Sequence, residues 1–103
     1  MSDYALTALA KTDIFDIWSY IAERNEAAAD RVELAIYNAC AFLAEGPLRG
    51  HVRPDLTARP VRFWTLTRYR NYTIVYRPET VPLQIIAVLH GKRDIQRILK
   101  QRP

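Results

Sequence analysis

The chain has 103 residues, of which 50% are hydrophobic and 25% charged, with only three Gly. That is the length of one domain and excludes two, and at this size about 65% of the extended chain's surface can be buried without disulfides or metals. The single cysteine, Cys40, excludes a disulfide framework and a thiolate-built zinc site, and the net charge of +4 directs attention to anionic partners.

The charge is unevenly spread. Residues 1–46 carry three basic and eight acidic side chains, whereas residues 47–103 carry twelve basic and three acidic ones. Twelve of the fifteen cations are arginine, whose planar fork suits bidentate contact with phosphate or carboxylate. The expected partner is a nucleic acid or an acidic protein. The opening MSDYALTALAKTDIFDIW has no basic stretch ahead of an apolar one, and no window reaches the roughly 18 apolar residues of a membrane span. A reducing, cytoplasmic location is expected, with no membrane contact.

Tyr4 and Leu6 flank Ala5 in a short extended stretch, and Thr7 then offers a capping oxygen. Ile14, Ile17, Trp18 and Ile21 fall on one stripe of an amphipathic helix over residues 8–24. Asn25 caps a second helix whose stripe is Val32, Ile36, Ala39 and Leu43, and Gly46 with Pro47 stops it. The short joint makes the two helices an antiparallel hairpin. Residues 46–60, GPLRGHVRPDLTARP, hold three prolines and two glycines and read as an irregular connector. VRFWTLT (61–67), NYTIVYR (71–77) and LQIIAVLH (83–90) are β-branched and aromatic and too short for helices. Their short separators predict an antiparallel meander. Gly91 ends the last strand, and Ile95, Ile98 and Leu99 mark a short basic C-terminal helix.

The fold class is therefore α+β, a single domain over 1–103. It comprises a short N-terminal strand, a helical hairpin, a three-stranded antiparallel meander and a short C-terminal helix. The hairpin should cover one face of the sheet and leave the other open to a partner. Period 2 puts Arg62, Trp64 and Leu66 on one side of their strand, and Tyr72, Ile74 and Tyr76 on one side of the next.

With these elements in place, YALTALAKTDIFDIWSYIAERN, AADRVELAIYNACAFLAEGPLRGHVRPDLTARPVRFW, NYTIVYRP and VLHGKRDI, in this order and spacing, resemble the ParE toxins of the ParE/RelE superfamily of bacterial type II toxin-antitoxin systems. The resemblance implies a plasmid-stabilising toxin that poisons DNA gyrase and is silenced in a tight complex with a ParD-like antitoxin encoded beside it. It implies no cofactor and no chemistry of its own. The superfamily also holds RelE-like ribonucleases that cut messenger RNA on the ribosome. These resemble the chain in a basic run at Gly91, Lys92 and Arg93, where an arginine stabilises phosphate charge. Their two strand lysines are replaced by Trp64 and Leu66, their next-strand arginine by Thr73 and their C-terminal tyrosine by Leu99. RNA cleavage needs a base, an acid and charge stabilisation, and only the last remains.

The candidates for target or antitoxin binding are Arg62, Trp64, Arg68, Arg70, Tyr72, Arg77, Lys92, Arg93 and Arg97. Tyr69, Tyr72 and Tyr76, interleaved with arginines, would also suit base stacking, which leaves a nucleic-acid-binding module as a further reading. His90 with Arg93 would serve the ribonuclease alternative, although a lone His beside two cations is a poor base and reads first as structural. His51 reads as solvated, Cys40 as a small buried hydrophobe and Trp18 as core. Trp64 reads equally as core or as the centre of an antitoxin groove. Asp13 and Asp16, three apart on a helix, read as solvated charges, and no metal site is expected.

Overall fold

A computed structural model describes residues 4–91 and 95–102. The elements follow the expected order: β1 (Tyr4–Leu6), α1 (Ala8–Ala22), α2 (Glu26–Glu45), β2 (Arg62–Thr65), β3 (Tyr72–Arg77), β4 (Leu83–His90) and α3 (Ile95–Lys100). Both caps form as read. The Thr7 hydroxyl accepts from the Ala10 amide at 3.1 Å, and the Asn25 side chain accepts from the Ala28 amide at 3.0 Å.

The sheet runs in the order β1-β4-β3-β2. β4, β3 and β2 form the antiparallel meander, and β1 adds to β4 in parallel, pairing Tyr4, Ala5 and Leu6 with Leu83, Gln84 and Ile85. Between β3 and β4 the register slips by one residue. Val75 faces Ala87 but Tyr76 faces Ile85, so Ile86 is an extra residue, a β-bulge. The bulge turns two consecutive residues, Ile86 and Ala87, to the same side of the sheet.

α1 and α2 cover one face. Their Ile14, Ile17, Val32, Ile36, Cys40 and Leu43 close over Tyr72, Ile74, Tyr76, Ile85 and Val88. The expectation that the other face is open does not hold. Val75, Ile86, Ala87 and Leu89 form a second core there with Phe63, roofed by Val61 of the connector and Leu99 of α3. The reason is visible in IIAVL, an apolar run without alternation, which requires burial on both faces. α3 thus packs opposite the hairpin.

Trp18 is not core either. Ala10, Ile14 and Ile17 occupy the buried stripe, and Trp18 lies at its margin, part-exposed. Its indole N–H donates to Asp30 Oδ1 on α2 at 2.8 Å. It ties the hairpin together rather than filling the interior.

The connector is moulded by Tyr76, whose side chain is fully buried. The Tyr76 hydroxyl donates to the Pro47 carbonyl at 2.7 Å and accepts from the Gly50 amide at 2.8 Å. A Cβ at position 50 would collide with that hydroxyl, so only glycine admits this approach. Tyr76→Phe keeps the packing but strands a buried donor and an acceptor. It should cost about 1–3 kcal/mol in urea unfolding with an unchanged m-value.

Candidate functional site

The β2–β3 turn and the end of β4 come together at one end of the sheet. The Leu66 amide donates to the Tyr72 carbonyl and the Tyr72 amide to the Tyr69 carbonyl, closing a turn that carries Arg68 and Arg70 exposed. The Gly91 amide donates to the Asn71 carbonyl at 2.7 Å, which holds the end of β4 against this turn. Gly91 has φ +71°, a conformation that favours glycine. His90 is exposed and its ring lies 5.0 Å from that of Tyr72.

Not all the candidates meet there. Arg77 stands at the opposite end of β3, paired in register with Gln84, and Arg97 is on α3 across the sheet. Lys92 and Arg93 lie outside the described residues. Arg62 Nη1 donates to the Gly50 carbonyl at 2.8 Å and to that of Leu48 at 3.4 Å, so its fork supports the connector. Tyr72 and Tyr76 are buried, because period 2 turns them under the helices. Tyr76 is wholly enclosed, and Tyr72 has only an edge exposed, beside the His90 ring. Burial, then the nearby Tyr20, raises the Tyr72 phenol above its ordinary range.

Trp64 resolves as a half-buried wall. Its ring lies 5.4 Å from Phe42 of α2 at 44°, and 6.4 Å from His51 at 14°. The Arg49 guanidinium sits 4.0 Å over the Phe42 ring and donates to the Phe42 carbonyl at 2.7 Å. A groove of about 340 Å³ runs from here between α2 and the β2–β3 turn, walled by Ala39, Phe42, Trp64, Leu66, Arg68 and Tyr69.

A second cleft, of about 690 Å³, opens between α1, the end of β4 and α3, with Asp13, Asp16, Tyr20, Tyr72, His90 and Arg102 in its walls. Asp13 and Arg102 form a fork-to-fork pair, Nη1 to Oδ2 and Nη2 to Oδ1, each at 2.9 Å. Asp13 Oδ2 also accepts from the Val88 amide at 2.9 Å, and Arg102 Nη1 also donates to the Ile86 carbonyl at 2.8 Å. Asp13 is therefore a structural ion, not the solvated charge its helical position suggests. Only Asp16 of the two remains exposed. Sequence reading missed Arg102, and no local signal marks a partner 89 positions away.

Leu66 and Leu99, at two positions where the nucleases carry polar groups, are 3% and 1% exposed. The Thr73 hydroxyl lies 3.2 Å from that of Thr65. No cluster of metal-ligating side chains occurs among the described residues. Cys40 is fully buried, and burial pushes its thiol up to about 12.

A family model described as the ParE toxin of the type II toxin-antitoxin system parDE matches residues 4–95. A solved structure titled as the chromosomal ParDE system from P. aeruginosa is similar with a TM-score of 0.72 and 22% identity, over 89% of this chain and 98% of that one. No curated protein matches.

Asp13→Ala should leave the Arg102 charge and the Val88 amide without their partner and cost about 3 kcal/mol, seen as a lowered urea midpoint. Cys40 has a raised pKa, so its thiolate is scarce in the folded chain at pH 8. A thiol-reactive dye should label it only at the rate of unfolding, and fast labelling in buffer would contradict its burial.

Proposed function

This chain belongs to the ParE toxin family of type II toxin-antitoxin systems, and from that membership we propose that it poisons DNA gyrase and is silenced by a ParD-like antitoxin. The proposed toxin domain is the whole of residues 1–103, acting in the cytoplasm. It acts by binding, with no chemistry of its own. The observation that carries this choice over RNA cleavage is the apolar burial of Leu66 and Leu99. A leucine side chain has no group that can take or give a proton at a phosphate. No helix among the described residues is long and apolar enough to cross a membrane.

RNA cleavage through His90 and Arg93 draws support from one feature, the exposure of His90 beside the cleft. Among the described residues no carboxylate is hydrogen-bonded to the His90 ring to orient it as a base.

A paired assay separates the two. The purified chain is added to gyrase supercoiling reactions and to ribosomes translating a defined messenger RNA. Supercoiling should fall with increasing chain while the message stays intact. Cleaved message with undiminished supercoiling would replace this reading by the ribonuclease one.

A further inference from the structure

Strand β4 is open along the last part of the edge that faces away from β3. The Gly91 amide reaches back to Asn71 on the β3 side, and the Val88 amide donates to Asp13 on the other, so Leu89 turns its backbone to β3 while Val88 and His90 turn theirs away. β1 covers the outer edge only from Leu83 to Ile85. The Asp13–Arg102 pair then takes up the Ile86 carbonyl and the Val88 amide. Beyond it the Val88 carbonyl, the His90 amide and the His90 carbonyl follow in a row, and nothing among the described residues bonds them. Both residues line the cleft of about 690 Å³.

The walls of that cleft suit a flat ligand. α1 packs on one face of the sheet and α3 on the other, so Leu9 and Ile17 stand on one side of this edge and Ile98 on the opposite side. A planar ring that continues the sheet beyond β4 lies between these apolar side chains, and the cleft has the size of a small-molecule site, roughly 300–1,000 Å³. A docked strand does not fit, because its ladder would run on to Ile86 and Val88, where the Asp13–Arg102 pair already sits. The three free groups ask the ring for a donor, an acceptor and a donor in line. Among the common nucleobases adenine comes nearest, with its exocyclic amine, N1 and the polarised C2–H. Uracil and guanine would set a carbonyl against the Val88 carbonyl, and cytosine would set one against that of His90. Asp16, exposed on α1 in the same cleft, adds a carboxylate that can accept from two neighbouring hydroxyls, such as those of a ribose.

We propose that the open end of the β4 edge is a binding site for an adenine nucleoside, read by the backbone of Val88 and His90. The adenine amine donates to the Val88 carbonyl, the His90 amide donates to N1, and C2–H points at the His90 carbonyl. Ile17 and Ile98 hold the two faces of the ring, and Asp16 accepts from the ribose hydroxyls. The site is independent of the gyrase and antitoxin reading above.

The test is a titration of the ¹⁵N-labelled full-length chain with nucleosides, following the His90 amide resonance. Adenosine should shift it in a saturable way, and guanosine, cytidine and uridine should bind at least about 10-fold more weakly, since each leaves like groups opposed. The riboside of 2,6-diaminopurine, which puts a true donor against the His90 carbonyl, should bind about 3–10-fold more tightly than adenosine. Asp16→Ala changes an exposed side chain, so the unfolding midpoint should stay where it is while adenosine weakens about 10-fold and 9-methyladenine, which has no ribose, is unaffected. A single-stranded oligoadenylate that binds no tighter per ring than adenosine supports a free nucleoside as ligand, and one that binds far tighter supports the same site for an adenine within RNA. An unmoved His90 amide overturns the proposal. So does equal binding of the four nucleosides, which would mean stacking without recognition, and so does a diaminopurine riboside weaker than adenosine.

Discussion

β1 stops at Leu6, yet β4 runs on past its last β1 partner, Ile85, to His90. The Ile86 carbonyl and the Val88 amide therefore turn toward a side of the sheet where the chain has already become α1. An unpaired buried backbone group costs on the order of a hydrogen bond. The Asp13–Arg102 pair removes both costs. Its carboxylate accepts from Val88 and its guanidinium donates to Ile86, as a neighbouring strand's carbonyl and amide would. Each ion is in turn neutralised by the other, with side-chain exposures of 17% and 11%. One pair thus joins α1, the middle of β4 and the end of the chain.

The second consequence concerns α3. Six residues are too few to be a stable helix alone, and its position is fixed from outside. Arg102 anchors the segment that follows it, and Arg59 of the connector donates to the Leu99 and Arg102 carbonyls at 2.7 and 3.0 Å. Leu99 is thereby held over Phe63, Val75 and Ile86. The face that the helical hairpin leaves uncovered is closed by this arrangement.

What was legible in the sequence is local. Thr7 and Asn25 act through donors three residues away, and both helix starts were readable from them. The β4 segment 83–90 was readable because its apolar run is bounded by Pro82 and Gly91. The same run also signalled burial on both faces, and an open face was expected against that signal. Trp18 was misplaced because a stripe of four apolar positions is wider than the contact α1 makes, and the indole at its margin found a carboxylate instead. Asp13 and Arg102 were illegible for a different reason. Their pairing exists only once the sheet has brought residues from opposite ends of the chain together.

The arginines show how far a charge count can mislead about a binding surface. Twelve cations in the second half suggested a broad basic face. Arg59, Arg62 and Arg102 are instead turned inward onto backbone carbonyls, where a rigid, always-charged fork is well suited to holding a connector and a terminus. Arg53 is matched by Asp55 at 2.8 Å. Among the described residues, Arg68 lines the groove beside β2 and Arg49 lies over the Phe42 ring, with Arg70 exposed on the adjoining turn. Exposed charges of that number guide encounter and discriminate sign, but contribute little net affinity.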